Sequence, residues 1–231
     1  MKILALDTST EYLSLALWLD GQILTYDVLA GQSHSQLILP ALRALLNQAE
    51  ISLQALDGIA FGAGPGSFTG LRIACGIAQG LAFGANLPVI RVSTLLALAH
   101  AAHAKDVASQ HVIACLDARM GEVYFAAYEK TASGWHEALP AALYKPEAVP
   151  PLSGQGWVGI GSGWATYGNI LQSVYADQLD LTLPDEHPGA LSIAELALPL
   201  FAAGQGRPAA EAAPIYIRNK VALKMSERNT L

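Results

Sequence analysis

The chain has 231 residues, of which 52 % are apolar and only 14 % charged, against about a quarter charged in an average soluble protein. This excludes intrinsic disorder, collagen and coiled coil as the main architecture, and the length suits one large domain or two compact lobes. A formal net charge of −6 excludes binding of nucleic acid through a basic surface of this chain alone, because phosphate contacts need clustered Lys and Arg.

The first residues reach a carboxylate at Asp7 after four apolar side chains, too short a run for a secretory signal. Residues 2–7 read as a strand. Tyr12 to Leu19 alternates Leu13, Leu15, Leu17 and Leu19 onto one face, and Gln22 to Ala30 returns after an Asp20-Gly21 turn. After Gly31 the period changes: Leu37, Ile38, Ala41, Leu42, Leu45 and Leu46 recur at three and four residues, an amphipathic helix entered near Ser33 to Ser35. A short strand at 58–62, a glycine loop at 62–67 and a helix from Phe68 to about Phe83 follow. The uncharged run Ile73 to Ile90 is broken by glycines, Gln79, Asn86 and Pro88, which predicts a buried helix and turn rather than a bilayer span. Residues 88–92 form another strand, and Ser93 caps a third helix through Ala104. Strands alternating with helices imply a partly parallel sheet in a βββαβα lobe, residues 1–105.

The second lobe, 106–217, begins as the first does. A strand at 112–117 ends in an aspartate, turns at 118–121 and returns from Glu122, which points to internal duplication at about half the chain. Residues 132–156 are rich in Pro, Gly and Ala and read as a long connection. A strand at 157–161 and helices at 164–175 and 191–203 follow, with Pro199 expected to kink or end the last. Residues 218–231, with Arg218, Lys220, Lys224 and Arg228, read as a mobile basic tail. Cys75 and Cys115 show no metal spacing and suit buried thiols in a reducing compartment, so the expected location is the cytoplasm.

The glycines at 62, 64 and 66, with Ser67 and Thr69 at the start of a helix, can cradle an anion or serve only as turn and cap. The string fails the P-loop pattern, because Gly70 is followed by Leu71-Arg72, and it fails the dinucleotide fingerprint at Ser67. Gly76, Gly80 and Gly84 sit four apart inside the helix, beside Ile73 and Ile77. Each costs roughly 1 kcal/mol relative to alanine, so close approach of another backbone is required, either within the chain or from another subunit. Asp7 and Asp117, both at strand ends before turns, are expected near the mouth between the lobes, where such carboxylates hold magnesium or activate a nucleophile in a phosphotransferase. Around Ser67 no Gly-x-Ser-x-Gly elbow occurs, which argues against a serine hydrolase. His100 and His103 lack further metal ligands nearby, so no metal site is expected in this chain.

The strings Ile3-Leu4-Ala5-Leu6-Asp7-Thr8-Ser9-Thr10, His34-Ser35, Gly64-Pro65-Gly66-Ser67-Phe68-Thr69-Gly70-Leu71-Arg72-Ile73, Asp117-Ala118-Arg119-Met120-Gly121-Glu122-Val123-Tyr124 and Pro214-Ile215-Tyr216-Ile217-Arg218-Asn219 together resemble the TsaB (YeaZ) family. The resemblance implies an α/β, actin-like and sugar-kinase-like (ribonuclease H-like) fold of two duplicated lobes. It also implies a part in attaching threonylcarbamoyl to N6 of the adenosine beside the tRNA anticodon. The implied role is a non-catalytic scaffold for a catalytic paralogue, TsaD, and a small ATPase, TsaE, with tRNA reached only through the complex, and self-pairing as a homodimer. The paralogue's helix with two histidines four apart corresponds here to Ser93 to Leu98, and its second-lobe nucleotide glycines to Gly161-Ser162-Gly163, so ATP and metal are expected on the partner subunits. The expected partner-binding residues are Leu37, Ile38, Ala41, Leu45, Ile73, Gly76, Ile77 and Gly80. Asp7, Thr8, Ser67, Thr69, Arg72 and Asp117 are the candidates for a place near an anion or nucleotide. The alternative reading is an autonomous ATP-dependent phosphotransferase, and a remoter one a protease.

Overall fold

The computed structural model describes residues 1–105 and 110–218; beyond Arg218, the expected basic tail lies outside them. Two five-stranded mixed sheets, each in its own lobe, make the framework. In the first, β1 (Lys2–Asp7) pairs antiparallel with β2 (Tyr12–Leu19), which pairs antiparallel with β3 (Gln22–Leu29), while β4 (Gly58–Gly64) and β5 (Val89–Ser93) add in parallel on the other side. The order is β3-β2-β1-β4-β5. In the second, β6 (His111–Arg119), β7 (Glu122–Thr131) and β8 (Gly134–Tyr144) form the antiparallel half, and β9 (Trp157–Ile160) and β10 (Leu179–Leu183) the parallel half, in the order β10-β9-β6-β7-β8. Strand for strand the two sheets have the same order and directions. The fold is the duplicated, actin-like arrangement.

Helices fill three layers around the sheets. α1 (His34–Gln48) and α2 (Phe68–Ala85) cover the outer face of the first sheet, where Leu4, Leu6, Leu13 and Leu15 meet Ile38, Leu42, Ala74 and Ala78. α4 (Ser162–Tyr175) covers the outer face of the second through Trp164, Leu171 and Tyr175. Between the sheets lie α3 (Thr94–Ala104) and α5 (Ala190–Ala202), and they are exchanged. α3 follows the first lobe in sequence yet buries Leu95, Leu98, Ala99 and Ala102 against Val112, Ala114 and Tyr128 of the second sheet. α5 follows the second lobe and buries Ala190, Ile193, Ala194 and Ala197 against Ile3, Ala5, Ala16 and Ile90 of the first. Alanines dominate the contact of α5 with the first sheet, so that helix approaches its sheet closely, while larger side chains such as Leu116 and Tyr128 fill the contact of α3 with the second.

α2 is long and apolar enough, by length and composition, to cross a membrane. Here it starts at the Ser67 cap and lays Ala74, Ala78 and Ala82 on the first sheet as a core helix.

Three expectations need correction. The stretch 132–156 contains β8, an edge strand with register shifts and Pro140, half-exposed and thus weakly patterned. β10 was also missed; it is five residues long, bulged, and carries Asp180 and Thr182. Pro199 does not end the last helix, which runs on to Ala202. Its final turn is held by Phe201, whose ring occupies the space a Cβ at Gly58 would take.

One buried hydrogen bond ties the exchanged helix to the opposite lobe: Ala190 N–H, at the start of α5, donates to Ser14 Oγ at 2.7 Å. Ser14 is 1 % exposed. Ser14→Ala strands that N–H, and the expected loss is about 1–2 kcal/mol in urea unfolding, with an unchanged slope.

Candidate functional site

The two duplicated strand ends face each other across an open cleft of about 990 Å³. Its first-lobe wall comprises Ser9 to Tyr12, His34 and the Pro65 to Leu71 stretch; its second-lobe wall comprises Leu116 to Arg119, Tyr124, Ser162 and residues 184–187. The C-terminal segment Ile215 to Arg218 crosses between them.

The glycine loop is shaped by what passes beneath it. A Cβ at Gly62 would collide with Asp7 Oδ2, one at Gly70 with the carbonyl of Thr8, and one at Gly66 would sit 2.6 Å from the carbonyl of Ser9. Hydrogen bonds lock the same contact: Thr8 Oγ1 donates to Gly70 O at 2.7 Å, and Ser67 N–H donates to Ser9 O at 2.7 Å. Ser67 Oγ accepts from Gly70 N–H at 3.3 Å and so caps α2. At Gly64, φ is +121° and the Ile215 carbonyl lies 2.6 Å from where a Cβ would be. Ile215 N–H donates to Ala63 O at 2.7 Å, so the loop also anchors the C-terminal segment.

The carboxylate pair expected at the cleft mouth is split. Asp117 lines the cleft, accepting from Arg119 N–H at 2.8 Å and from its guanidinium at 3.2 Å. Asp7 is buried, 1 % exposed, and does not reach the cleft. Its Oδ1 accepts from Ser9 N–H and Oγ at 2.9 and 2.7 Å, while Oδ2 has no partner. Burial pushes its pKa up from 3.8 to about 6, against the lowering pull of the two Ser9 bonds, with Asp27 adding a small rise.

The remaining anion candidates divide. Thr8 is fully buried, spent on Gly70, whereas Ser67 and Thr69 are exposed at the cleft. Arg72 is turned away from it: its guanidinium lies 3.7 Å from the Phe68 ring centroid, and its Nε donates to Tyr216 OH at 3.0 Å. Among the expected partner-binding residues, Ile38, Ala41 and Leu45 face inward and are part of the chain's own core. Leu37, Ile73 and Ile77 are half-buried, and Gly76 and Gly80 are exposed with no atom within 4 Å of an added Cβ. Close internal packing is therefore not what these two glycines, or Gly84, provide.

Sequence reasoning passed over several cleft residues. His187 stacks on Tyr12 at 3.8 Å with planes 6° apart, and burial holds its imidazole below the ordinary histidine range. Arg218 forms an ion pair with Glu122. Arg218, expected as the first residue of a mobile tail, is instead held by Glu122 and the Arg119 carbonyl; Tyr216 lies in one of the quoted strings without an assigned role, and His187 left no signal at all. The loop Gly161-Ser162-Gly163 is spent on packing, since a Cβ at Gly161 would sit 2.5 Å from Cys115 O and one at Gly163 would collide with Cys115 Sγ. His100 Nε2 is 2.9 Å from Glu195 Oε2, and its Nδ1 accepts from Trp135 Nε1 at 3.2 Å; His103 packs edge-on against the same indole.

Duplicated sheets, a cleft between lobes and strand-end turns define the class: an actin-like, sugar-kinase-like two-lobed protein. Comparison narrows it. The family model for TsaD, tRNA N6-adenosine threonylcarbamoyltransferase, matches residues 28–223. The tRNA threonylcarbamoyladenosine biosynthesis protein TsaB of Escherichia coli K12 is 43 % identical over 232 residues, 97 % of each chain. Its Haemophilus influenzae counterpart is 40 % identical, covering 97 % of this chain and 96 % of its own. A Pseudomonas aeruginosa crystal structure, described as an uncharacterized protein with similarity to the peptidase YeaZ, superposes with a TM-score of 0.87 at 39 % identity, covering 94 % of this chain and 99 % of the other. This chain belongs to the TsaB family.

The buried carboxylate makes stability pH-dependent in a definite sense. Because the folded-state pKa of Asp7 is raised, the native state holds the proton more tightly than the unfolded one. Its contribution is favourable at low pH and is lost as pH rises from 3.8 to about 6; above that the full cost, about 3 kcal/mol, is carried. Asp7→Asn keeps an acceptor for Ser9 and removes the charge. The variant is expected to melt above the wild type at pH 8, with the advantage gone at pH 4 in calorimetric scans.

Proposed function

We propose that this chain serves tRNA threonylcarbamoyladenosine biosynthesis as a docking subunit. In this reading it presents α2 to a TsaD-like catalytic paralogue, the pair engages a TsaE-like ATPase, and tRNA, ATP and metal are held by those partners. The observation that carries the reading is the outer face of α2. Gly76, Gly80 and Gly84 lie open along one stripe, with Phe83 81 % exposed beside them. Glycine in a helix interior costs roughly 1 kcal/mol each, and no described residue packs against these three to repay it. A flat glycine face admits a partner helix to close range, and the exposed apolar side chains supply the area. α1 adds Leu37 and Leu39, the latter 48 % exposed. A second copy of the chain fits the same face, so homodimer and heterodimer compete for it.

Several bonds weigh against the phosphotransferase and protease alternatives. Asp7 is pressed against Gly62 instead of the cleft, Ser67 N–H is taken by Ser9, and Asp117 is held by Arg119. Ser67 Oγ serves Gly70 as a cap, with no histidine bonded to it among the described residues.

The test is Gly80→Leu, mixed with the TsaD-like protein of the same host and followed by light scattering during size-exclusion chromatography. Heterodimer affinity is expected to fall at least tenfold. The variant alone should melt no lower than wild type, because leucine favours a helix over glycine by roughly 0.5–1 kcal/mol. Undiminished pairing would sink the assignment of this face. Excess magnesium-ATP is expected to leave the melting of the lone chain unchanged; a site saturated at about a hundred times its dissociation constant would add about 2.7 kcal/mol and revive the phosphotransferase.

A further inference from the structure

Three of the four sheet edges carry a device that blocks pairing with another chain. β5 is capped by Arg207, which exchanges backbone hydrogen bonds of 2.8 and 2.9 Å with Val89. β8 is interrupted by register shifts and contains Pro140, and β10 is five residues long and bulged. Short, bulged, proline-bearing or covered edges are the usual protections against edge-to-edge association. β3 has none of them. Its eight residues pair with β2 in unbroken register from Tyr12↔Leu29 to Leu19↔Gln22, without proline and with Asp27 as the only charge.

Which backbone groups face outward follows from the turn. Asp20 and Gly21 have φ of 52° and 98°, a two-residue hairpin loop of the primed kind, whose flanking pair Leu19–Gln22 is hydrogen-bonded. Bonding alternates along an antiparallel ladder. Gln22, Leu24, Tyr26 and Val28 therefore turn their N–H and C=O toward β2, and Ile23, Thr25, Asp27 and Leu29 turn theirs away. Among the described residues no backbone bond from β3 goes anywhere but β2. The side chains follow the same alternation: Leu24, Tyr26 and Val28 pack against the core under α1, while Ile23 and Leu29 are 39 % and 63 % exposed and Thr25 and Asp27 are open.

We propose that this edge pairs with the same edge of a second copy, antiparallel about a two-fold axis through Tyr26. In this register Ile23 faces Leu29, Leu24 faces Val28, Thr25 faces Asp27, and Tyr26 faces itself. Every outward residue meets an outward residue, as a hydrogen-bonded ladder requires. The apolar pairs match in character, and the strand's one carboxylate meets a hydroxyl instead of its own copy, which avoids like charges directly opposed. Taken by itself, with the glycine face blocked or occupied by another protein, an isologous contact of this kind closes as a dimer. α2 lies over β1, β4 and β5, whereas β3 is under α1 at the far side of the sheet. The edge contact thus leaves the glycine face free, and it stands or falls independently of the docking role given to α2.

Substitutions at Thr25 read the register directly. They are made with Gly80→Leu in the same chain, so that pairing through α2 does not contribute, and followed by sedimentation velocity across concentration, with melting temperature as a check on folding. The parent is expected to associate. Thr25→Asp opposes its new carboxylate to Asp27 of the other copy and should weaken association at least tenfold. Thr25→Lys opposes an ammonium to the same Asp27 and should tighten it at low salt. Thr25→Pro removes an outward N–H, a change that an edge strand tolerates, and should leave a folded monomer. As a second readout, Tyr26→Cys is expected to form a disulfide between copies on oxidation, since Cys75 and Cys115 are buried and do not compete. A parent that stays monomeric at the highest concentration, Asp and Lys variants that shift association in the same direction, or a Tyr26→Cys chain that stays uncrosslinked while its parent associates, would overturn the proposal.

Discussion

The carbonyls of Thr8 and Ser9 and the carboxylate of Asp7 occupy the space where side chains at Gly70, Gly66 and Gly62 would stand. This exclusion sets the geometry of one side of the molecule. It brings the β1–β2 turn into contact with the start of α2, directs Ser67 N–H to Ser9 and Thr8 Oγ1 to Gly70, and leaves no gap in which Asp7 could turn toward the cleft. The same loop holds the C-terminal segment through Ala63 and through Gly64, where the Ile215 carbonyl takes the place of a side chain. That segment carries Tyr216 to Arg72 and Arg218 to Glu122 of the second lobe. The three glycines at 62, 66 and 70 are used in this chain for close packing.

The consequence for chemistry is a division between the cleft and the outer face of the first lobe. On the cleft side, groups that could polarise or hold a ligand are turned to one another: Asp117 to Arg119, Lys105 to Glu186, Arg218 to Glu122. On the opposite side α2 leaves three glycines and an exposed phenylalanine without internal partners.

Most of the first sheet and its helices could be read from the sequence, since local signals and tertiary demands agree there. The alternation from Leu13 to Leu19, the change to helical period after Gly31, and the Ser67 and Ser93 caps all have their counterparts in the folded chain, with Gly70 N–H and Leu96 N–H donating to the two serines. The misses lie where tertiary context decides. β8 and β10 are edge strands stabilised by their neighbours, with too few buried positions to impose a period. Pro199 sits inside a helix that runs on to Ala202, with Phe201 seated over Gly58. Asp117 and Ser67 lie at the cleft, while burial separates Asp7 from Asp117; the apolar period of the first helix, which sets Ile38, Ala41 and Leu45 against the sheet, already argued against a docking role for those three, whereas the outward turn of the glycines needed the fold. His187 was invisible because its stacking on Tyr12 joins residues far apart in the chain.

The exchange of α3 and α5 has a kinetic side. The first sheet lacks one of its two covering layers until residues 190–202 have left the ribosome, so the N-terminal half cannot complete its core when its own last residue appears. At about 5–20 residues per second, the nascent first lobe waits on the order of ten seconds with Ile3, Ala5, Ala16 and Ile90 uncovered. During that interval the chain depends on α3 not docking in the vacant place. Synthesis, and not only equilibrium stability, therefore favours small side chains such as Ala5, Ala16 and Ala60 on the inner face of the first sheet, which expose little apolar surface while they wait.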